Sequence, residues 1–107
     1  MTTLDKLKQI TAWDNNPELT AVELEEMLGA AALVDTNGFA PLHEEWSPTY
    51  DINAAAAAAW LIKAARAAAT VEQNPPGSGL YTSAVFENCR AMARIYTAKR
   101  RVSVSIR

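Results

Sequence analysis

A small all-α bundle of about four helices is the fold class this sequence predicts, with one long Ala-rich central helix and an extended, strand-like arm at the C-terminus. Three observations carry that expectation. Between Ala54 and Ala69 alanine dominates around the bulky pair Trp60 and Leu61, and alanine is the strongest intrinsic helix former. Capping residues precede apolar residues at helical spacing elsewhere in the chain, most clearly Thr20 with Glu23. The last six residues then change period from helical to strict alternation.

The central helix comes first because the rest must pack on it. Asp51 or Asn53 can accept backbone N–H bonds at its start, and Asn74-Pro75-Pro76-Gly77 ends it, since proline cannot donate and restricts the residue before it. Roughly 21 residues at about 1.5 Å each give a rod about 30 Å long. Alanine fills little space, so the complement must come from large side chains such as Leu7, Ile10, Trp13, Leu24, Met27, Leu28, Phe86, Met92, Ile95 and Tyr96. A smooth alanine face also suits close packing on a neighbouring subunit.

Taken in order, Thr3 can cap a first helix from about Leu4 to Trp13, stopped by Asp14-Asn15-Asn16-Pro17. Thr20 opens a second, with Val22, Leu24, Met27, Leu28 and Ala31 as its apolar stripe, and Glu23, Glu25 and Glu26 suit the positive end of its dipole. Asp35-Thr36-Asn37-Gly38 is a turn, and Phe39 to Tyr50 reads as an ordered loop held by Trp46 and Tyr50. After the central helix, Thr82 or Ser83 opens the last one, with Val85, Phe86, Cys89, Met92, Ala93 and Tyr96 at helical spacing, ending near Lys99 to Arg101. Trp60, Phe86 and Tyr96 are its expected anchors to the core. Residues 1–101 thus form one helical domain and residues 102–107 an arm.

The arm, Val102-Ser103-Val104-Ser105-Ile106-Arg107, has no convincing strand partner within the chain. It either frays, as termini do, or adds to the edge of a sheet in another protein and seats Val102, Val104 and Ile106 on one face.

Composition excludes several function classes. The single Cys89 rules out an intrachain disulfide and a cysteine zinc cluster, and its apolar neighbours mark a buried thiol. The start lacks an apolar signal region, and Lys63 and Arg66 interrupt the long helix as a membrane span, so a soluble protein made in the cytoplasm is expected. His43 stands alone beside Glu44 and Glu45, and adjacent carboxylates on a helix diverge rather than converge. No dinucleotide fingerprint, Walker loop or nucleophile elbow is present, so neither an enzyme nor a cofactor or metal site is expected.

Charge is the informative feature. Up to Asn53 the chain has ten acids and two bases, and from Ala54 onward two acids and eight bases, which splits a net −2 into −8 and +6. Either the halves neutralise each other inside one fold, or the acidic flank of one copy meets the basic flank of the next, as a head-to-tail ring requires.

The block Trp46-Ser47-Pro48-Thr49-Tyr50-Asp51, the Ala-rich helix with Trp60, Lys63 and Ala64, the Gly/Ser turn, and Tyr81-Thr82-Ser83 leading into Val85, Cys89, Met92-Ala93-Arg94 and Tyr96 together resemble the small head-tail connector proteins of tailed bacteriophages and prophages. These are also called adaptor or head-completion proteins. The resemblance runs from Leu4 to about Arg101, and departs from it at Asn74-Pro75-Pro76-Gly77, where relatives carry a more polar stretch. It implies a virion protein at the capsid vertex, forming a homo-oligomeric ring, usually of twelve copies, beneath the portal protein. Such a ring lengthens the DNA channel and offers a surface to the neck or tail-completion protein. The portal contact carries over onto Val102, Ser103, Val104, Ser105 and Ile106, with Lys99, Arg100, Arg101 and Arg107 near the portal or facing DNA that passes without sequence specificity. The alternative class is a small helical DNA-binding regulator or packaging accessory protein, reading DNA through Arg90, Arg94 and Arg101 on one side of the last helix.

Overall fold

The computed structural model describes residues 2–73 and 79–100, with side chains described for 2–69 and 84–100. Four helices form, as expected: α1 (Thr3–Thr11), α2 (Ala21–Ala30), α3 (Ile52–Gln73) and α4 (Gly79–Lys99). No strand occurs among the described residues, where the only pairing of the β type is an isolated antiparallel bridge between Ala32 and Tyr50. The expected arm, residues 102–107, lies outside the described residues, as do Arg101 and the proline-containing stop after α3.

Helix α3 is the axis of the molecule. Asp51, not Asn53, caps it: the Ala54 N–H donates to Asp51 Oδ1 at 3.1 Å. Asn53 is used differently, its Nδ2 donating to the Lys99 carbonyl at 3.4 Å. That contact sets the end of α4 beside the start of α3, while Trp60 and Ala64 meet Cys89 and Ala93 further along. The two long helices therefore run antiparallel. Helices α1 and α2 pack on α3, and the whole measures 55 × 29 × 20 Å.

Both short helices begin with a capping box. In α2 this is the expected Thr20/Glu23 pair; in α1 the cap is Thr2 rather than Thr3, because Asp5 three residues on returns the bond to the Thr2 N–H. Helix α1 also stops at Thr11 instead of Trp13. Ala12 turns left-handed (φ 47°, ψ 50°), and its N–H closes the helix on the Lys8 and Gln9 carbonyls. Helix α4 starts at Gly79, ahead of the expected openers Thr82 and Ser83.

Two apolar clusters result. Leu7, Leu24, Met27 and Leu28 close over Ala55, Ala56 and Ala59 of α3, and Trp60, Ala64, Cys89 and Ala93 form the second with Phe86, Met92 and Tyr96 against it. Two expected core residues are corrected: Val22 is 61% exposed and Ile95 46%. Each lies two residues, about 200° of helix, from a buried neighbour, Leu24 or Ala93, and so faces away from the core.

Between α2 and α3 the chain makes an ordered loop. Asp35 accepts from the N–H groups of Asn37 (2.9 Å), Phe39 (2.9 Å) and Ser47 (2.8 Å), which holds its carboxyl below the usual range. Gly38 takes the positive φ of 87° that this turn requires. Trp46 donates its indole N–H to the Leu33 carbonyl at 2.8 Å and meets Tyr50 edge-on, so both aromatics anchor the loop as expected.

Candidate functional site

No helix among the described residues is long and apolar enough to cross a membrane, and no group of three metal-binding side chains occurs among them. His43 stacks on Phe39 and its Nδ1 accepts from the Glu45 N–H, so the imidazole is spent on its own loop. What the surface offers instead is charge, and its distribution depends on how the two halves meet.

They meet at α3, through two cations three residues apart on one face. Lys63 is 2% exposed. Its Nζ donates to the carbonyls of Ala12 (2.7 Å) and Asn15 (3.0 Å) and lies 5.1 Å from the Trp60 ring centroid. Burial pushes its pKa down. Beside it Trp60 donates its indole N–H to the Ile10 carbonyl at 3.2 Å. These groups close the end of α1 onto α3. Cys89, in the same cluster, has its thiol pKa raised by burial, so it stays protonated.

Arg66, one turn on, donates to the Glu18 carbonyl at 2.7 Å and grips the Glu23 carboxylate with both terminal nitrogens. Glu23 is thus both α2's capping-box acid and the partner of α3. The Arg66 guanidinium, and after it the Thr20 N–H, lower the Glu23 pKa to about 2. Because the folded value lies below the ordinary 4.5, this pairing stabilises the fold above about pH 4.5 and is lost as the pH falls toward about 2. Thermal melts between pH 5 and 2 should therefore fall steeply for the parent and less steeply for Glu23→Gln, which starts lower.

Arg66–Glu23 is the only ion pair between the acidic and basic halves among the described residues; the other, Arg90–Glu87, lies within α4 at 4.0 Å. Glu25, Glu26, Glu44 and Glu45 are exposed on α2 and the loop after it, and Arg90, Arg94, Lys99 and Arg100 on α4 and at its end. Of the expected contact residues, Lys99 and Arg100 are thus exposed at the end of α4, whereas Arg101, Arg107 and Val102 to Ile106 lie outside the described residues. Trp60, Phe86 and Tyr96 pack in the second cluster.

An apolar groove of about 350 Å³ adjoins the acidic part, between α2 and α3, with Met27, Ala30, Ala31, Ala54, Ala58 and Ile62 along it and Glu23 and Glu26 at its edge. The sequence pattern hinted at this groove through its smooth alanine face. The roles of Lys63 and Arg66 had only one signal, that they are the sole cations in a long apolar helix. No family model, no curated protein and no solved structure matches this chain.

Proposed function

We propose that the protein is a head-tail connector of a tailed bacteriophage: a structural adaptor that forms a ring under the portal, extends the DNA channel, and links the capsid vertex to the neck. The observation that carries the reading is the exposed charge, acidic on α2 and the loop after it and basic on α4, with one ion pair joining the halves among the described residues. Charges left unused within a chain serve to orient and register its neighbours. The motifs from Trp46 to Tyr96 agree with the same class. Docking through Val102 to Ile106 would let arms of low single affinity act together around the ring.

The test is binding to portal-bearing, DNA-filled capsids that lack the protein, read by sedimentation and by cryo-EM of the vertex. The full chain should add a ring beneath the portal. Deleting residues 102–107 should leave the helical content unchanged and abolish binding; a truncated protein that still binds would overturn the arm's role.

The second reading, a DNA-binding regulator, draws on the exposed Arg90 and Arg94, one turn apart on α4. Salt-sensitive retention of the isolated protein on DNA cellulose, without capsid binding, would favour it.

A further inference from the structure

One face of α3 is only partly covered by its own chain. Ala54, Ala58, Leu61, Ile62 and Ala65 follow one another along it, with Leu61 56% exposed. This face continues the floor of the α2–α3 groove. Of the acids at the groove's edge, Glu23 is held by Arg66, whereas Glu26 is exposed and in no ion pair among the described residues.

Helix α4 carries the complementary relief. Cys89 and Ala93 face the core, which leaves Ala91, Ile95 and Ala98 as a row on the outside, one large residue between two small ones. Ile95 is 46% exposed. Arg90 and Arg94 flank the row; Arg94 is in no ion pair and Arg90 has only its long contact with Glu87. A ridge with an apolar knob and basic flanks matches a groove with a small-residue floor and an acidic edge, in shape and in charge.

We infer that the α2–α3 groove receives the Ile95 ridge of α4 from a second copy of this chain, with Arg90 and Arg94 facing Glu26 at the groove's edge. The two patches are different surfaces of one molecule. The contact is therefore head-to-tail, every copy both offers a ridge and accepts one, and the rotation between copies decides whether the array closes. The inference rests on the ring reading for closure alone; the contact itself follows from relief and charge.

The test uses two charge-reversed proteins, Glu26→Arg and Arg90→Glu/Arg94→Glu, each alone and in equimolar mixture. All three positions are exposed, so circular dichroism and melting should match the parent. Sedimentation at up to millimolar protein, and cross-linking between Ala30→Cys and Ile95→Cys in a Cys89→Ser background, read the contact in solution and on capsids. Each reversed protein alone should associate roughly a hundredfold more weakly, because like charges then face each other. The mixture should recover parental association, since each groove again meets a ridge of opposite sign. Association of either variant at parental strength, no recovery on mixing, or a parent that stays monomeric and uncross-linked in both settings would overturn the inference. If the variants bind vertices as the parent does, the contact is wrong and the connector reading stands. Charge-swap recovery without vertex binding leaves the contact standing and removes the connector reading.

Discussion

Replacing Lys63 by methionine should lower stability by about 3 kcal/mol, or roughly 15 °C in melting temperature for a domain of this size. Methionine fills most of the same volume, so the effect isolates the ammonium group. Its two hydrogen bonds, at 2.7 and 3.0 Å, satisfy the Ala12 and Asn15 carbonyls. Bonds to a charged donor are worth about 1.5–3 kcal/mol each, and a carbonyl left unpaired in a closed site adds a desolvation cost. Relief from burying a charge offsets part of that loss. Urea denaturation measures the change, and hydrogen exchange should show the end of α1 and residues 12–19 losing protection before α3 and α4. A loss below about 1 kcal/mol would mean that water replaces the ammonium at both carbonyls.

Trp60→Ala should cost about 4 kcal/mol, the range for removing a large buried aromatic. Trp60 is 6% exposed, centres the second cluster, and bonds the Ile10 carbonyl. Trp60→Phe separates the two contributions, keeping most of the apolar contact and losing about 1 kcal/mol with the indole N–H. Because the Lys63 ammonium lies 5.1 Å from the Trp60 ring, the two losses should not add. A double-mutant cycle of Lys63→Met with Trp60→Ala should show a coupling of about 1 kcal/mol.

Lys63 and Trp60 also mark where the sequence stopped being legible. Alanine content, Thr20 with Glu23, and Asp51 ahead of Ile52 are local signals, and the helices they announce are present. The turn at Asp35–Gly38 and the anchors Trp46 and Tyr50 were legible for the same reason, since turn chemistry and bulky aromatics act within a few residues. Lys63 carried no such signal. Its partners are carbonyls some 50 positions away, and backbone acceptors leave no trace in side-chain pattern. Helix α4 begins three residues ahead of Thr82, the first capping residue that the pattern offers. Val22 and Ile95 are apolar in type, but each stands two residues, about 200° of helix, from a buried neighbour, and composition alone does not show that. The charge split was plain in composition, but only the fold shows that a single ion pair joins the two halves among the described residues.

Helix α3 has a consequence for how this chain can change. Its buried positions Ala55, Ala56, Ala59, Ala64 and Ala67 lose no rotamer freedom on folding, so the conformational cost of ordering side chains falls on Trp60 and Lys63 within α3 and on the side chains of α1, α2 and α4 that face it. Almost every substitution there other than glycine also makes the residue larger, in a space already closed by leucine, methionine or tryptophan from the facing elements. Variation in this protein is therefore expected to accumulate in the large side chains that face α3, with the alanines as the fixed surface to which they adjust.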